Sequence, residues 1–189
     1  MDSAIDEAFE SVPRKYFLPE EMQDSAGLDT ALPIGFGQTN SQPSTVAMML
    51  EWLAVGPGDK VLDIGSGSGW TSALLAHLTG QGGMVHSVEI VPELLEFGKD
   101  NCAKLGIHNV KFHHAGKTFG RPEEEPYDRI LVSASAEEMP TELFDQLKPG
   151  GRLVVPVRNT IHIIDKDGKG NITRKEKPGF VFVPLVKGD

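Results

Sequence analysis

The sequence predicts an α/β fold: a doubly wound, mostly parallel sheet with an antiparallel C-terminal strand pair. Three observations point to it. Short apolar runs alternate with helix-forming stretches from Lys60 to Val157, a rhythm that implies parallel pairing and right-handed crossovers. The first of these runs, Lys60–Ile64, breaks into alternating glycines at Gly65, Gly67 and Gly69 and then into a helical pattern. After Val157 the rhythm fails, and two β runs flank the Gly-rich stretch Asp165–Asn171, which reads as a hairpin.

In chain order, Ile5, Ala8, Phe9 and Val12 share one helical face between Asp2 and Val12, with Asp2 or Ser3 as a candidate cap and Pro13 as the stop. Arg14–Gly37 carries Pro19, Gly27, Pro33, Gly35 and Gly37 and reads as extended, loop-rich chain over the core. Ser44–Leu53 is helical by the spacing of Val46, Met49, Leu50 and Leu53. Strands are predicted at Lys60–Ile64, Met84–Glu89, Val110–His114, Arg129–Ser133 and Arg152–Val157, with helices at Trp70–Leu78, Pro92–Leu105 and Thr141–Leu147. Proline at the first turn of the second of these helices replaces an N–H that has no helical partner there. Thr160–Ile164 and Ile172–Arg174 form the hairpin, and a further β run follows at Phe180–Val186.

The chain has 189 residues, enough for one well-buried domain. We expect a single unit over 1–189, with 1–55 as a helical and loop cap over an α/β core at 56–189. The net charge of −9 argues against an enzyme held to nucleic acid by a broad basic face. No apolar run approaches the roughly 20 residues of a spanning helix, so no membrane partner is expected. The single cysteine, Cys102, rules out an intrachain disulfide and reads as a packed thiol. The acidic N-terminal residues lack a charged-then-apolar leader, and a cytoplasmic location is expected.

Chemistry concentrates in two stretches. In the first, Asp63-x-Gly65-Ser66-Gly67-x-Gly69 follows a strand and opens a helix, and Glu89 ends the next strand about 20 residues later. A glycine turn lets a ligand approach the backbone, and an acidic residue at the end of the second strand accepts hydrogen bonds from ribose hydroxyls. The spacing Gly-x-Gly-x-Gly, not Gly-x-Gly-x-x-Gly, favours S-adenosylmethionine over a dinucleotide; a turn with no ligand is the plain alternative. The second stretch, Gly37-Gln38-Thr39-Asn40-Ser41-Gln42-Pro43-Ser44, is dense in hydroxyls and amides. It reads either as a helix cap at Ser41 or Ser44, or as a site. Asp165–Glu176 matches part of a calcium-loop pattern, but Lys169 occupies a ligand position and a hairpin turn is the better reading. The histidines at 77, 86, 108, 113, 114 and 162 show no metal-ligand spacing, and no metal is expected.

Several stretches together resemble the protein-L-isoaspartate O-methyltransferases, of the Rossmann-like class I S-adenosylmethionine-dependent fold. They are Val12-Pro13-Arg14-Lys15-Tyr16-Phe17, Leu32-Pro33-Ile34-Gly35, Gly37-Gln38-Thr39 with Ser41 and Pro43, the glycine motif, Pro126-Tyr127-Asp128, Gln146-Leu147, Gly150-Gly151-Arg152-Leu153 and Phe182-Val183-Pro184-Leu185. The resemblance implies methylation of the α-carboxylate of L-isoaspartyl residues in damaged proteins, whose ester then cyclises to a succinimide that reopens partly to aspartate. It places Ser41 at the active-site serine. Gln38, Thr39, Asn40 and Ser41 would lie over the methionine end of the cofactor and the substrate carboxylate. Asp63, Gly65, Ser66, Gly67, Gly69, Glu89 and Gly116 complete the expected cofactor set. The chain departs from the family pattern at Asn40, Gln42 and Ser44, where Ile, Ala and His are usual. It departs again at Ala115-Gly116-Lys117, where Gly-Asp-Gly is usual. These departures leave two alternatives: the same fold acting on another small molecule or nucleic acid, or a non-catalytic S-adenosylmethionine-binding protein. Isoaspartyl peptides and proteins are the expected partners, with the chain a monomer. A loop strand near Phe182-Val183 is expected to pair with substrate backbone by strand addition.

Overall fold

The computed structural model describes residues 3–188. A seven-stranded sheet carries the fold, built from β3 (Lys60–Ile64), β4 (Met84–Glu89), β5 (Val110–His114), β6 (Tyr127–Val132), β7 (Leu147–Val157), β8 (Thr160–Lys166) and β9 (Ile172–Pro178). Its order is β5-β4-β3-β6-β7-β8-β9. The first five strands in that order run parallel, and β8 and β9 follow as antiparallel neighbours. A separate two-stranded hairpin, β1 (Leu32–Gly35) with β2 (Gln38–Asn40), lies in the N-terminal segment. The helices are α1 (Ser3–Ser11), α2 (Pro43–Leu53), α3 (Trp70–Thr79), α4 (Pro92–Lys104) and α5 (Glu142–Gln146). Asp2 and the side chain of Ser3, the expected cap, lie outside the described residues.

Period-two alternation assigns the core. Val61, Val85, Leu131 and Val154 face one side with Ile5, Ala8, Met49, Leu50, Leu74 and Leu75 from α1, α2 and α3. Leu62, Ile64, Ile130, Val132, Leu153 and Val155 face the other, against Tyr127, Leu143 and Leu147. That second side is thinly covered. Its only helix among the described residues is α5, five residues long, and the β5–β6 crossover carries only the 3-10 turn Pro122–Glu124.

Two expectations need correction. Arg14–Gly37 is more ordered than the extended, loop-rich chain expected. It folds into 3-10 turns at Arg14–Phe17 and Glu20–Ser25 and the β1–β2 hairpin, gathered around a buried Arg14. Phe180–Val186 is not a ladder strand. It crosses back over the sheet and makes one bridge, in which Ser135 N donates to Val183 O (2.7 Å) and Leu185 N donates to Ser135 O (2.8 Å). Pro184, between those two contacts, has no N–H with which to extend a ladder.

The Asp165–Glu176 stretch does form the expected hairpin. Asp165 pairs with Arg152 (2.6 Å), while the Asp167 carboxylate accepts the N–H groups of Lys169 (2.7 Å) and Asn171 (2.9 Å) that close the turn. His86 and His113 stack with ring centroids 5.3 Å apart, and burial pushes His86 down to about 4. Cys102 is buried, and burial pushes its thiol up to about 12, which fits an inert packed side chain.

Candidate active site

The parallel strands place the site. Neighbours diverge from β3, with β4 on one side and β6 on the other, and ligands of open α/β sheets bind beyond the carboxyl ends at such a switch point. Here β3 ends in the glycine turn, β4 in Glu89 and β6 in Ser133-Ala134. A cleft of about 750 Å³, open mouth included, lies above them. The turn residues Gly65, Ser66, Gly67 and Ser68 line it, with Glu89, Ile90 and Ala115, Ser133 and Ala134, Gln38–Ser41, and Val183–Val186 of the returning C-terminal segment. A second cavity adjoins it, lined by Ala31, Thr39, Ser41, Gln42, Thr45, Ser133 and Val181–Val183. Thr39, Ser41, Ser133 and Val183 line both, so the two cavities meet at these residues.

The glycine turn is held from two sides. Gly65 and Gly67 have φ of +76° and +53°, a region that side chains disfavour. The Glu89 carboxylate accepts Gly67 N (2.7 Å) on one oxygen, and Ile90 N (2.8 Å) and Val91 N (2.9 Å) on the other. Glu89 therefore braces the turn and the entry to α4, and the free lone-pair site on Oε2 can accept from a ligand hydroxyl. Below the turn, Asp63 is fully buried. It accepts Thr71 Oγ1 (2.8 Å) and Ser72 Oγ (2.6 Å) from α3, and Ser133 Oγ at 3.3 Å. Burial pushes its carboxyl up to about 6, against the pull of these hydroxyls.

The structure gathers most of the expected residues and redistributes the rest. Gln38, Thr39, Ser41, Gly65, Ser66, Gly67 and Glu89 line the cleft. Asp63 and Gly69 do not: Asp63 ties α3 to β3 from beneath, and Gly69 packs against Gly98 of α4. A Cβ on Gly69 would stand 2.9 Å from Gly98 Cα. Gly116 is likewise outside the wall, which is formed there by Ala115, while the Gly116 carbonyl accepts Gly188 N (2.9 Å). Asn40 reaches the wall with its side-chain oxygen on Arg14 and its amide on Ser68. The expected α2 caps at Ser41 and Ser44 are replaced by Asp29, whose carboxylate accepts Ser44 N (2.9 Å) and Gln42 Nε2 (3.0 Å).

Three contributors were missed: Ser133, Gly98 and Arg14. Ser133 was findable, because it follows the strand beside β3 at the switch point. Gly98 was signalled by a glycine inside a helical pattern. The burial of Arg14 had no sequence signal beyond its place in the Val12–Phe17 stretch.

The cleft fits S-adenosylmethionine on its own chemistry. Ser66 Oγ is buried on the cleft wall with no hydrogen-bond partner, an orphan that a bound ligand would satisfy. Glu89 suits ribose hydroxyls, and Ile64, Val88, Ile90, Ala115 and Leu185 offer an apolar bed for a base.

Fold and cleft together define a class I S-adenosylmethionine-dependent methyltransferase. The family model described as protein-L-isoaspartate(D-aspartate) O-methyltransferase (PCMT) matches residues 1–189. A protein-L-isoaspartate O-methyltransferase from Methanococcoides burtonii is 44% identical over 188 residues, covering 98% of this chain and 93% of that one. A solved protein-L-isoaspartate O-methyltransferase superposes with TM-score 0.89 at 33% identity over 98% of this chain, which spans 62% of that longer one. A solved structure from Plasmodium falciparum, in complex with S-adenosyl-L-homocysteine, gives TM-score 0.86 at 28% identity, covering 99% and 92%. The chain belongs to the protein-L-isoaspartate O-methyltransferase family.

Proposed function

We propose that this chain methylates the α-carboxylate of L-isoaspartyl residues at the junction of the two cavities, with Ser41 orienting the acceptor. The observation that carries this reading is that Thr39, Ser41, Ser133 and Val183 line both spaces, so an acceptor in one meets a methyl donor in the other there. Glu89, Ser66 and the Gly65–Gly67 turn would hold S-adenosylmethionine, and Gln38 and Thr39 would lie toward its methionine end. When bound, the cofactor supplies a methyl group on a positively charged sulfur.

The protein's own part is alignment. A peptide α-carboxylate has a pKa of about 3.3–3.7 and is already ionised at pH 7, so no base is required. A hydroxyl at Ser41 donates to one carboxylate oxygen and leaves the other free to attack. Val183, Pro184 and Leu185 shield the site from water, and positioning of this kind supplies up to about 7–11 kcal/mol. The segment Val181–Val183 lines the acceptor cavity, and Phe182 has backbone groups turned from Ser135; pairing of a peptide backbone with this edge would accept many sequences. A Phe182→Pro change, which removes the N–H on that edge, is expected to weaken binding of a defined isoaspartyl peptide; binding as tight as the parent's would argue against strand addition.

Ser41→Ala is expected to lower kcat by about tenfold or more while S-adenosyl-L-homocysteine binds as in the parent. An unchanged kcat would remove Ser41 from this role. Residues 1–55 serve as a cap on the 56–189 core within one domain. The chain works as a cytoplasmic monomer without nucleic-acid or membrane partners. Supporting the monomer, the edge strand β9 is exposed along its length and carries Arg174, Lys175 and Lys177, charges that discourage edge pairing. Light scattering at the mass of one chain tests it. No described helix is long and apolar enough to cross a membrane.

A further inference from the structure

The geometry points to Asn40 as a positioning residue: we propose that Arg14, Asn40 and Ser68 form a relay that sets the acceptor strand in register with the cofactor turn. The proposal rests on the methyltransferase reading and concerns how its two halves are aligned.

The acceptor residues Gln38–Ser41 belong to the N-terminal segment, and the cofactor turn belongs to the sheet. Methyl transfer needs these two bodies fixed relative to each other, because a misplacement of about 1 Å costs about a hundredfold in rate. Asn40 sits between them and is 5% exposed. Its Oδ1 accepts Arg14 Nε (2.8 Å), and its Nδ2 donates to Ser68 Oγ (3.2 Å) in the glycine turn. Behind it, one terminal nitrogen of Arg14 donates to the carbonyls of Asn40 (3.0 Å), Ser41 (2.9 Å) and Thr30 (2.8 Å), and the other to Leu28 O (3.0 Å). The guanidinium also lies 5.5 Å from the centre of the Trp70 ring, at the start of α3. A planar fork with five donors holds several carbonyls in one fixed arrangement, which an ammonium does not. Ser41 is thus gripped by its backbone carbonyl, and no described group competes for its hydroxyl. Ser68 is held in turn by Asn101 Nδ2, which donates to its carbonyl (3.3 Å).

An apolar residue at position 40 would leave Arg14 Nε and Ser68 Oγ without these partners in a buried place. Aspartate would keep both links, since its oxygens accept from Arg14 and from a rotated Ser68 hydroxyl.

The test uses the full chain with an isoaspartyl peptide, comparing the parent with Ser68→Ala, Asn40→Leu, Asn40→Asp and the double variant Asn40→Leu/Ser68→Ala. Active molecules are counted by titration with S-adenosyl-L-homocysteine. For Ser68→Ala, which leaves the buried Asn40 Nδ2 without its partner, we expect an unfolding midpoint lowered by about 2–8 °C, S-adenosyl-L-homocysteine affinity within about twofold, and kcat lowered about tenfold to a hundredfold. Asn40→Asp should restore most of the rate that Asn40→Leu loses, and the double variant should be no slower than Asn40→Leu alone. An unchanged kcat per active molecule in Ser68→Ala would overturn the proposal, as would additive losses in the double variant. A fall in S-adenosyl-L-homocysteine affinity matching the loss of rate would also overturn it, placing Ser68 on the cofactor. Ser68→Ala decides the matter even if Asn40→Leu does not fold. A parent that binds S-adenosyl-L-homocysteine but methylates no isoaspartyl peptide would instead defeat the underlying reading.

Discussion

At the scale of single residues, two buried titratable groups pull stability in opposite directions with pH. His86 is raised from neutral to charged only near pH 4, whereas in the unfolded chain it charges near 6.5. Its folded pKa is depressed, so its contribution is full above pH 6.5 and is lost as pH falls toward 4. Asp63 has a folded pKa raised to about 6. Its contribution is full below the unfolded value near 4 and is lost as pH rises through 6. Between pH 7 and pH 5 the first costs about 2 kcal/mol and the second returns about 1 kcal/mol. Relative to the parent, His86→Phe is therefore expected to gain in stability on going from pH 7 to pH 5, and Asp63→Asn to lose. Urea unfolding at the two pH values checks both signs. Asp63 also shows the limit of reading function from a motif. Its place in Asp63-x-Gly65 marked it as a cofactor residue, yet its burial within β3 and its bonds to Thr71 and Ser72 could not be read without the packing of α3 on the sheet.

At the scale of elements, the strands, helices and glycine turn of the α/β core were legible because each has its own period and its own punctuation. β3, β4 and β5 fall where the apolar runs placed them. In the N-terminal segment α1 and α2 were legible, but the order within Arg14–Gly37 was not. Its order comes from Arg14, which satisfies carbonyls of residues 28, 30, 40 and 41, contacts too distant in sequence to leave a local pattern. The C-terminal segment misled for a related reason: Phe180–Val186 is strand-like in composition, but among the described residues its single bridge is to Ser135, and Phe180 N donates to Asn159 O (3.2 Å). The packing of α4 on the glycine turn gives a sharp test. A Cβ on Gly98 would stand 3.2 Å from Gly69 N, from the Ser68 carbonyl carbon and from the Phe112 ring. By helix propensity alone Gly98→Ala gains about 1 kcal/mol. We expect it instead to displace the turn and weaken S-adenosyl-L-homocysteine binding, measured by calorimetry; parental affinity would show that the turn accommodates the methyl.

At the scale of the whole molecule, the fold brings two adjoining cavities to the carboxyl ends of the parallel strands, sharing Thr39, Ser41, Ser133 and Val183; the proposed reading puts the methyl donor in the first and the acceptor in the second. The floor of the first cavity was legible from the glycine turn and Glu89, which follow one another in the chain and line it together. Of the adjoining cavity, the sequence marked only Thr39, Ser41 and the Phe182-Val183 stretch, because Ser133 joins it through the sheet order. Departures at Asn40, Gln42 and Ser44 fall into internal partnerships with Arg14, Ser68 and Asp29, so these changes are accommodated within the architecture. The most direct test of the central claim uses methyl-labelled S-adenosylmethionine and two peptides that differ only in one aspartyl or isoaspartyl linkage. The predicted result is base-labile label on the isoaspartyl peptide alone. Label on neither peptide, with the cofactor bound, would contradict it.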